Sequence, residues 1–292
     1  MSLAAKVKDL RERTGAGMMD CKKAIEASNG DIDQAIDWLR ENGIAKAAKK
    51  GDRVAAEGLT KVIIEGNKAV IVELNAETDF VAKNDQFLDL LNTISTALVN
   101  SDAKTLEEGL AVDVNGQTIS ELVAAGTATI GEKIDLRRFE IVEKTDEQTF
   151  ADYSHMGGTI SVLLTLDGNN DEVAKQIAMH VAAANPQFLN SESVDPEVLA
   201  KETAIITKET KENAGGKPEN IIEKMIDGRV NKFLKEICLV NQAFVVDPSL
   251  EVEKAAANAG LTIIGFNRFE VGEGIEKVET NFAEEVAQQM KA

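Results

Sequence analysis

Apolar residues in the first part of the chain recur at helical spacing in three short segments. Glycine-containing breaks separate these segments, "TGAG" at 14–17 and "SNGD" at 28–31. The pattern predicts a compact three-helix bundle with Trp38 in its core, followed by a linker at 44–58, "IAKAAKKGDRVAAEG". The apolar positions are Leu3, Val7 and Leu10; Met18, Met19, Ala24 and Ile25; and Ile32, Ala35, Ile36 and Leu39.

Beyond this linker the pattern changes to runs of β-type residues. "GLTKVIIEGNKAVIVELN" at 58–75 holds two such runs around a Gly-Asn turn, which is typical of a β-hairpin. Helical spacing then predicts helices at 84–99 and 118–131, and "IDLRRFEIVE" at 134–143 predicts another strand. The order of these elements predicts an α+β subdomain.

The second half of the chain repeats this order. "VIVELNAETDFVAK" at 70–83 resembles "VLLTLDGNNDEVAK" at 162–175, and "RRFEIVE" at 137–143 resembles "NRFEVGE" at 267–273. The interval between the two repeated segments is longer in the second copy. We therefore predict two duplicated α+β subdomains, the second carrying an insertion.

The inserted stretch has a polar helical pattern, interrupted by "NAGGKPE" at 213–219. Glycine is suited to end one helix there, and Pro218 is suited to the first turn of the next. The pattern predicts an antiparallel coiled-coil arm with a narrow apolar seam, serving as a partner arm or a dimer handle. The alternative is a helical pair laid on the core.

The predicted fold class is α+β, with an N-terminal three-helix bundle, a core of two duplicated subdomains, an inserted coiled-coil arm and a C-terminal helix. The C-terminal helix is predicted from Val278, Phe282, Val286 and Met290 at four-residue spacing, and it could dock on this protein or on another. The predicted boundaries are 1–54 for bundle and linker, 55–146 for the first subdomain, 147–190 with 229–274 for the second, 191–228 for the arm, and 275–292 for the C-terminal helix.

The charge of the chain argues against direct binding of nucleic acid. The net charge is -18, whereas phosphate binding needs clustered Lys and Arg. Aromatic residues make up only 4% of the chain, too few for a base-stacking platform. One basic cluster lies in the predicted linker, and we interpret it as a solvated segment rather than an RNA contact. It consists of Lys46, Lys49, Lys50 and Arg53.

Cysteine and histidine usage predicts neither a disulfide nor a metal site. Cys21 and Cys238 lie far apart without a CxxC spacing, which is typical of free thiols in a reducing compartment. His155 and His180 are the only histidines, so no site with several histidine ligands can form. No apolar run is long enough to cross a membrane, and the first residues, "MSLAAKVKDL", lack the apolar stretch of a signal peptide. We expect a soluble, cytoplasmic protein without cofactor or metal.

Motifs that carry catalytic chemistry are missing from the chain. It has no GxxxxGK[ST] phosphate loop, no GxGxxG, no GxSxG and no HExxH. "HMGG" at 155–158 lies between two predicted strands, which favours a hairpin turn over an oxyanion or phosphate loop. His180 lies among apolar residues of a predicted helix, which favours a core histidine over a ligand. We therefore expect a protein that is not an enzyme.

The residues that neighbour Phe80 in the sequence do not explain why an aromatic side chain stands at this position. In "ETDFVAKND" at 77–85, Thr78 or Asp79 can cap a helix, but a cap does not need an aromatic neighbour. The second copy has Glu172 at the equivalent position. A fold that accepts glutamate there does not need Phe80 in its core, so we predict that Phe80 is exposed and functional.

Two segments resemble the signatures of the elongation factor Ts family, guanine-nucleotide exchange factors for the GTPase elongation factor Tu. These are "LRERTGAGMMDCKKAI" at 10–25 and "ELNAETDFVAKN" at 73–84. Other stretches are similar to family segments in the same order, among them "GDIDQAIDWLRENG", "YSHMGG", "MHVAAANPQFL" and "NFAEEVA". The resemblance implies a ubiquitin-associated-like bundle, a two-subdomain core, a coiled-coil arm and a C-terminal module.

The resemblance also implies which residues contact the partner. It implies that one segment inserts beside the partner's magnesium site, namely Thr78, Asp79, Phe80 and Val81. It implies a second contact near the phosphate-binding side at His155, Gly157 and Gly158, where Thr159 replaces the basic residue of many relatives. It implies an additional docking surface on the bundle at Arg11, Thr14, Gly15, Met18 and Met19, although Met18 and Met19 could equally fill the bundle core.

Two other functions compete with nucleotide exchange. An adaptor could use the bundle to hold partners without exchange, but the two-subdomain core argues against it, because an adaptor does not need the turn at Thr78–Val81. An enzyme could use Asp79 and His155, but no recognised motif surrounds them. Release of labelled GDP from the partner GTPase distinguishes exchange from both.

Overall fold

The computed structural model describes residues 2–276 and confirms the α+β fold class. Its residues form two compact units. Within the described residues, the first unit comprises 2–142, 157–159 and 269–276, and the second comprises 143–156 and 160–268. The predicted C-terminal helix falls almost entirely at 277–292, outside the described residues.

The N-terminal bundle of three helices is confirmed. Ser2 and Asp31 cap the first and third helices, accepting hydrogen bonds from Ala5 N and Gln34 N. Leu10, Cys21, Ala24, Ile25 and Ala35 form the buried core, against which Trp38 packs partly buried. The helices are α1 (Leu3–Thr14), α2 (Met18–Ala27) and α3 (Ile32–Ala48).

The predicted linker begins too early. Residues 44–48 belong to α3, because good helix formers continue the helix as far as Ala48. The remaining linker is held by side chains of its own unit. Lys133 Nζ donates to the carbonyl oxygens of Gly51 (2.8 Å) and Arg53 (3.0 Å).

The first unit contains a three-stranded sheet covered by helices. Its strands are ordered β1-β2-β5, and β1 pairs with β2 antiparallel around the predicted two-residue turn. Val70, Val72 and Leu74 of β2 pack with Phe87 and Ile94 in one buried cluster. The elements are β1 (Glu57–Glu65), β2 (Lys68–Ala76), α4 (Asp79–Ala82), α5 (Asp85–Val99), α6 (Leu106–Leu110), β3 (Asp113–Val114), β4 (Gln117–Thr118), α7 (Ile119–Ile130) and β5 (Ile134–Glu143).

A buried carboxylate in this unit holds the segment at residues 269–274. Glu73 is fully buried and accepts hydrogen bonds from Arg137 Nη1 (2.9 Å), Arg138 Nε (2.5 Å) and Gly272 N (2.8 Å). The Arg138 guanidinium also lies 4.2 Å from the centre of the Phe269 ring. These contacts explain why residues 269–274, predicted in the second subdomain, pack with the first unit.

The second unit has a similar sheet of three strands. Its order is β6-β7-β8, and β6 pairs with β7 antiparallel, ending at His155 opposite Ile160. Val162, Leu164 and Leu166 pack with Ile177 and Val181 in its buried cluster. The elements are β6 (Gln148–His155), β7 (Ile160–Asp167), α8 (Asp171–Ala184), α9 (Pro196–Glu212), α10 (Glu219–Ile237), α11 (Val252–Asn258) and β8 (Thr262–Glu270).

Helices α9 and α10 form the helical hairpin at the predicted insertion. Arg229 on α10 reaches back to α9, donating to Glu209 Oε2 (2.6 Å) and Thr210 Oγ1 (3.0 Å). The predicted end of the arm at 228 falls inside α10, which continues to Ile237 without a break. The base of the hairpin packs through Ile237 against Val194.

None of the helices within residues 2–276 is both long enough and apolar enough to span a bilayer.

Candidate functional site

The segment at residues 78–81, called the Phe80 segment below, presents one exposed ring from a fixed turn of helix. Thr78 is the N-cap of α4, with extended backbone (φ -129°, ψ 156°), and its Oγ1 accepts a hydrogen bond from Val81 N at 3.4 Å. Val81 is 8% exposed and belongs to the core of the first unit, whereas Phe80 is 81% exposed. The helix is therefore anchored on one side and displays Phe80 on the other.

Asp79, beside the exposed ring, pairs with a lysine of the same helix. Lys83 Nζ lies 2.8 Å from Asp79 Oδ2, and both side chains are exposed. The hydrogen bond from Lys83 holds the pKa of Asp79 below its ordinary value. Asp79 is therefore ionised at neutral pH and can exchange Lys83 for another donor.

Two glutamates that the sequence analysis did not single out hold the Phe80 segment. Glu132 accepts hydrogen bonds from Thr78 N (3.0 Å, Oε2) and from Thr78 Oγ1 (2.9 Å, Oε1). Glu77 Oε1 accepts a hydrogen bond from Lys133 N at 2.6 Å. Spacing along the chain could not have revealed these pairs, because their members lie more than fifty positions apart.

A groove between α1 and α2 is lined by three of the five residues predicted as the bundle surface, Arg11, Met18 and Met19. Met18 and Met19 are 60% and 62% exposed, so the alternative that they fill the bundle core is wrong. Together with Val7 they give the groove an apolar floor. The groove, called the α1–α2 groove below, is also lined by Leu3 and Ala4 and by the cationic side chains of Lys8, Arg11 and Lys22.

The turn between α1 and α2 lies next to the helix that follows the Phe80 segment. Thr14 Oγ1 donates to Leu10 O (2.7 Å), and Gly15 ends α1 with a left-handed φ of 66°. A Cβ built on Gly15 would lie 3.4 Å from Gln86 Nε2, on the first turn of α5. Gly15 therefore lies against the start of α5, the helix that follows the Phe80 segment.

The residues of "HMGG" form the tight turn of a hairpin, which confirms the predicted turn. His155 ends β6 exposed, with Nδ1 3.2 Å from the hydroxyl of Tyr153. Gly157 (φ 70°) and Gly158 (φ 106°) have backbone conformations that favour glycine. The carbonyl of Gly158 accepts hydrogen bonds from Thr60 N (2.7 Å) and Thr60 Oγ1 (2.8 Å).

Met156 is a further candidate that the sequence analysis missed. Its side chain is 76% exposed, and its φ of 49° is unusual for a residue with a long side chain. A strained, exposed apolar residue is most often retained at a functional position. In the sequence, the position of Met156 between His155 and two glycines could have indicated that it lies exposed in a turn.

His180 is a buried structural histidine, as predicted. Its Nδ1 accepts a hydrogen bond from Val245 N (3.1 Å), and its Nε2 lies 2.9 Å from Gln242 Oε1. Burial lowers the pKa of His180, so the ring is neutral with the proton on Nε2. Among residues 2–276, no group of three or more His, Cys, Asp or Glu side chains is placed to hold a metal ion.

The chain matches the model of a known protein family. A family model with the description Elongation factor TS matches residues 77–273, about two thirds of the chain. The matched range contains the Phe80 segment, the turn at 155–158 and the helical hairpin. The α1–α2 groove lies before it.

Proposed function

Because this chain belongs to the elongation factor Ts family, we propose that it releases GDP from elongation factor Tu by inserting the Phe80 segment beside the partner's magnesium site. Members of the family act in translation as guanine-nucleotide exchange factors, and we assign this general activity to the chain because it belongs to the family. The finer mechanism is our proposal. The observation that carries it is the 81% exposure of Phe80 beside a buried Val81.

The proposed mechanism needs no covalent step. An exchange factor accelerates release by binding the nucleotide-free or distorted partner more tightly than the nucleotide-bound partner. Burial of the Phe80 side chain between partner helices would supply roughly 1.5–3 kcal/mol toward that difference. A bound magnesium ion tolerates little displacement of its ligands, so a small shift of the supporting helices weakens nucleotide binding.

Asp79 would assist by exchanging its lysine partner for a group on the GTPase. Its contact with Lys83 is solvent-exposed and therefore easily replaced. A carboxylate in this position can accept hydrogen bonds from partner backbone amides. We propose that Asp79 directs the Phe80 ring into its slot by this route.

The turn at 155–158 would supply the second contact. His155 and Met156 are exposed side chains at its tip, and Gly157 and Gly158 allow a close backbone approach. We propose that these residues act on the phosphate-binding side of the partner.

The α1–α2 groove would provide a third contact. Its exposed methionines adapt to irregular apolar surfaces, and three cations surround them. Such a surface suits an amphipathic partner helix with acidic flanks. We propose that Arg11, Met18 and Met19 contribute affinity here, with Thr14 and Gly15 at its edge.

The remaining expectations follow from this role. We propose that the protein acts in the cytoplasm without a cofactor, without catalysis of its own and without direct contact to nucleic acid. Dimerisation through α9 and α10 also stays a prediction, for which exposed Ile205 and Ile221 are the candidate contacts. Light scattering of the purified chain and of Ile205→Ser tests it, and a monomeric wild-type mass would contradict it.

Release of fluorescent mant-GDP from purified elongation factor Tu tests the proposed function. Saturating wild-type protein should accelerate release, and Phe80→Ala should abolish most of the acceleration. Leu106→Ala is the matched control, because Leu106 is an exposed apolar residue outside the proposed contacts. Binding to the partner without faster release would instead favour the adaptor, and catalytic turnover without a GTPase would favour an enzyme.

A further inference from the structure

We propose that Glu132 is a positioning residue for nucleotide exchange, and that it acts by fixing the orientation of the helix turn that displays Phe80. The inference rests on the proposed function. Its basis is the pair of contacts from Thr78 to one carboxylate. Thr78 N donates to Glu132 Oε2 at 3.0 Å, and Thr78 Oγ1 donates to Glu132 Oε1 at 2.9 Å.

Helix α4 is too short to fix its own orientation relative to the rest of the unit. It has four residues, and nucleation of a helix costs more than so few hydrogen bonds return. Its capping bond from Val81 N to Thr78 Oγ1 is long at 3.4 Å. Hydrogen bonds to an ionised carboxylate are stronger than neutral ones, so Glu132 supplies the firmer constraint on Thr78.

The contact is one half of a reciprocal pair. Glu132 accepts the backbone N–H of Thr78, the residue after Glu77, while Glu77 accepts the backbone N–H of Lys133, the residue after Glu132. The two dipeptides 77–78 and 132–133 are therefore joined by two hydrogen bonds, each from a backbone N–H of one dipeptide to the glutamate side chain of the other. Such a double tie restricts rotation of the chain at Thr78 more than a single hydrogen bond would.

The same hydrogen-bond network includes the linker that follows the bundle. Arg53 Nη1 lies 3.2 Å from both carboxylate oxygens of Glu77, and Lys133 Nζ donates to the carbonyl oxygens of Gly51 and Arg53. The linker, the end of β2 and the start of β5 thus converge on the base of α4. The orientation of Phe80 is set from the interior of the first unit rather than by α4 alone.

Loss of this constraint should affect release more than initial binding. If only a fraction of the molecules displays Phe80 in the productive direction, the step that uses the ring slows by that fraction. The other proposed contacts, in the α1–α2 groove and at residues 155–158, do not involve Glu132. The concentration for half-maximal effect should therefore change less than the maximal rate.

The kinetic experiment measures mant-GDP release from elongation factor Tu across a titration of full-length protein. Glu132→Ala should lower the maximal release rate about tenfold, with a smaller change in half-maximal concentration. Glu132→Gln should retain most of the rate, because an amide oxygen still accepts from Thr78. Glu108→Ala is the matched control, since Glu108 likewise accepts two backbone N–H bonds, but on α6; its rate should equal wild type.

A measurement without partner separates this inference from the proposed function. Fluorinated phenylalanine placed at position 80 should give one narrow ¹⁹F resonance in wild type and in Glu108→Ala. In Glu132→Ala that resonance should broaden or split, while thermal unfolding remains cooperative. Should Glu132→Ala fail to fold, Thr78→Val removes the same side-chain contact from its other end, together with the weak cap on Val81 N, and should give the same spectrum.

The outcomes are distinct. Wild-type protein that does not accelerate GDP release overturns the proposed function and, with it, a role of Glu132 in exchange. Acceleration by wild type together with an unchanged maximal rate in Glu132→Ala overturns the inference alone. An unchanged ¹⁹F resonance in Glu132→Ala and in Thr78→Val also overturns it.

Discussion

Of two neighbouring residues, Val81 contributes to the stability of the fold and Phe80 is available to bind a partner. The Phe80 ring is 81% exposed, whereas Val81 is 8% exposed and packs in the core. A soluble protein gains nothing for its own stability from a ring in water, because apolar burial is the main favourable contribution to folding. At the scale of single residues, stability and partner binding are therefore separable.

This separation predicts different responses to truncation. Phe80→Ala should change the free energy of unfolding by less than about 0.5 kcal/mol, as exposed substitutions usually do. Val81→Ala should lower it by about 1–3 kcal/mol, since it removes buried methyl groups. Chemical denaturation of both variants measures the contrast, and equal losses would contradict the assignment of Phe80 to the surface.

His180 predicts how stability depends on pH. Burial lowers its pKa below the ordinary value of 6.5, so the unfolded chain takes up a proton at a higher pH than the folded chain. The contribution of neutral His180 is complete above about pH 6.5 and is lost as the pH falls toward the folded pKa. Protonation of Nδ1 would also remove the acceptor of Val245 N.

Comparison with His180→Gln measures that contribution. The free energy of unfolding should fall more steeply in wild type than in the variant between about pH 7 and pH 5. Carboxylates titrate in both proteins, so only the difference between the two slopes reports on His180. Parallel slopes would show that the histidine is not responsible.

At the scale of elements, the turn of the β6–β7 hairpin depends on one glycine more than on its neighbour. Gly158 has a φ of 106°, and a Cβ there would lie 3.0 Å from Thr60 O. Gly157 has a φ of 70° and open space around its Cβ position. Both need a positive φ, but only Gly158 also faces backbone.

Alanine substitutions test this difference between the two glycines. Gly158→Ala should lower the free energy of unfolding by about 1–3 kcal/mol, since it combines backbone strain with a close contact. Gly157→Ala should cost about 1 kcal/mol from strain alone. Thermal unfolding compares the two, and a greater loss in Gly157→Ala would contradict the contact with Thr60.

Elements whose determinants are local were predictable from the sequence. The β1–β2 hairpin follows from two β-type runs and a Gly-Asn turn. A cap was predicted at Thr78 or Asp79, and Thr78 provides it. Glu132 was not predictable, because it reaches Thr78 only when β5 lies beside the end of β2, and no local pattern encodes that. The end of α3 was misplaced because alanines and lysines in 44–48 suit a helix as well as a linker.

At the scale of the whole molecule, the first unit is assembled from distant parts of the chain. Glu73 in β2 binds Arg137 and Arg138 in β5 and the backbone N–H of Gly272. Gly272 has a φ of 72°, and a Cβ there would lie 2.3 Å from Ala56 O. The sequence repeat predicted two duplicated subdomains, but it did not predict this return of the chain, because "NRFEVGE" was assigned to the second copy.

Removal of the buried charge should therefore weaken the first unit strongly. Glu73→Gln leaves two partly exposed arginines with reduced compensation, and loss of hydrogen bonds to a charged group costs about 1.5–3 kcal/mol. Glu140→Gln is the matched control, because Glu140 is exposed on the same strand β5. Denaturation should show the loss only in Glu73→Gln, and hydrogen exchange at Gly272 N should accelerate with it.

The contact between Glu73 and Gly272 also bears on how the protein is made. Its two residues are separated by 199 positions, so a ribosome releases Glu73 long before it has polymerised Gly272. Chains begin to fold from the N-terminus as they emerge, and exposed intermediates are prone to aggregate. The unit that is synthesised first is thus completed last, and until then the carboxylate of Glu73 lacks the backbone N–H of Gly272 among its hydrogen-bond donors.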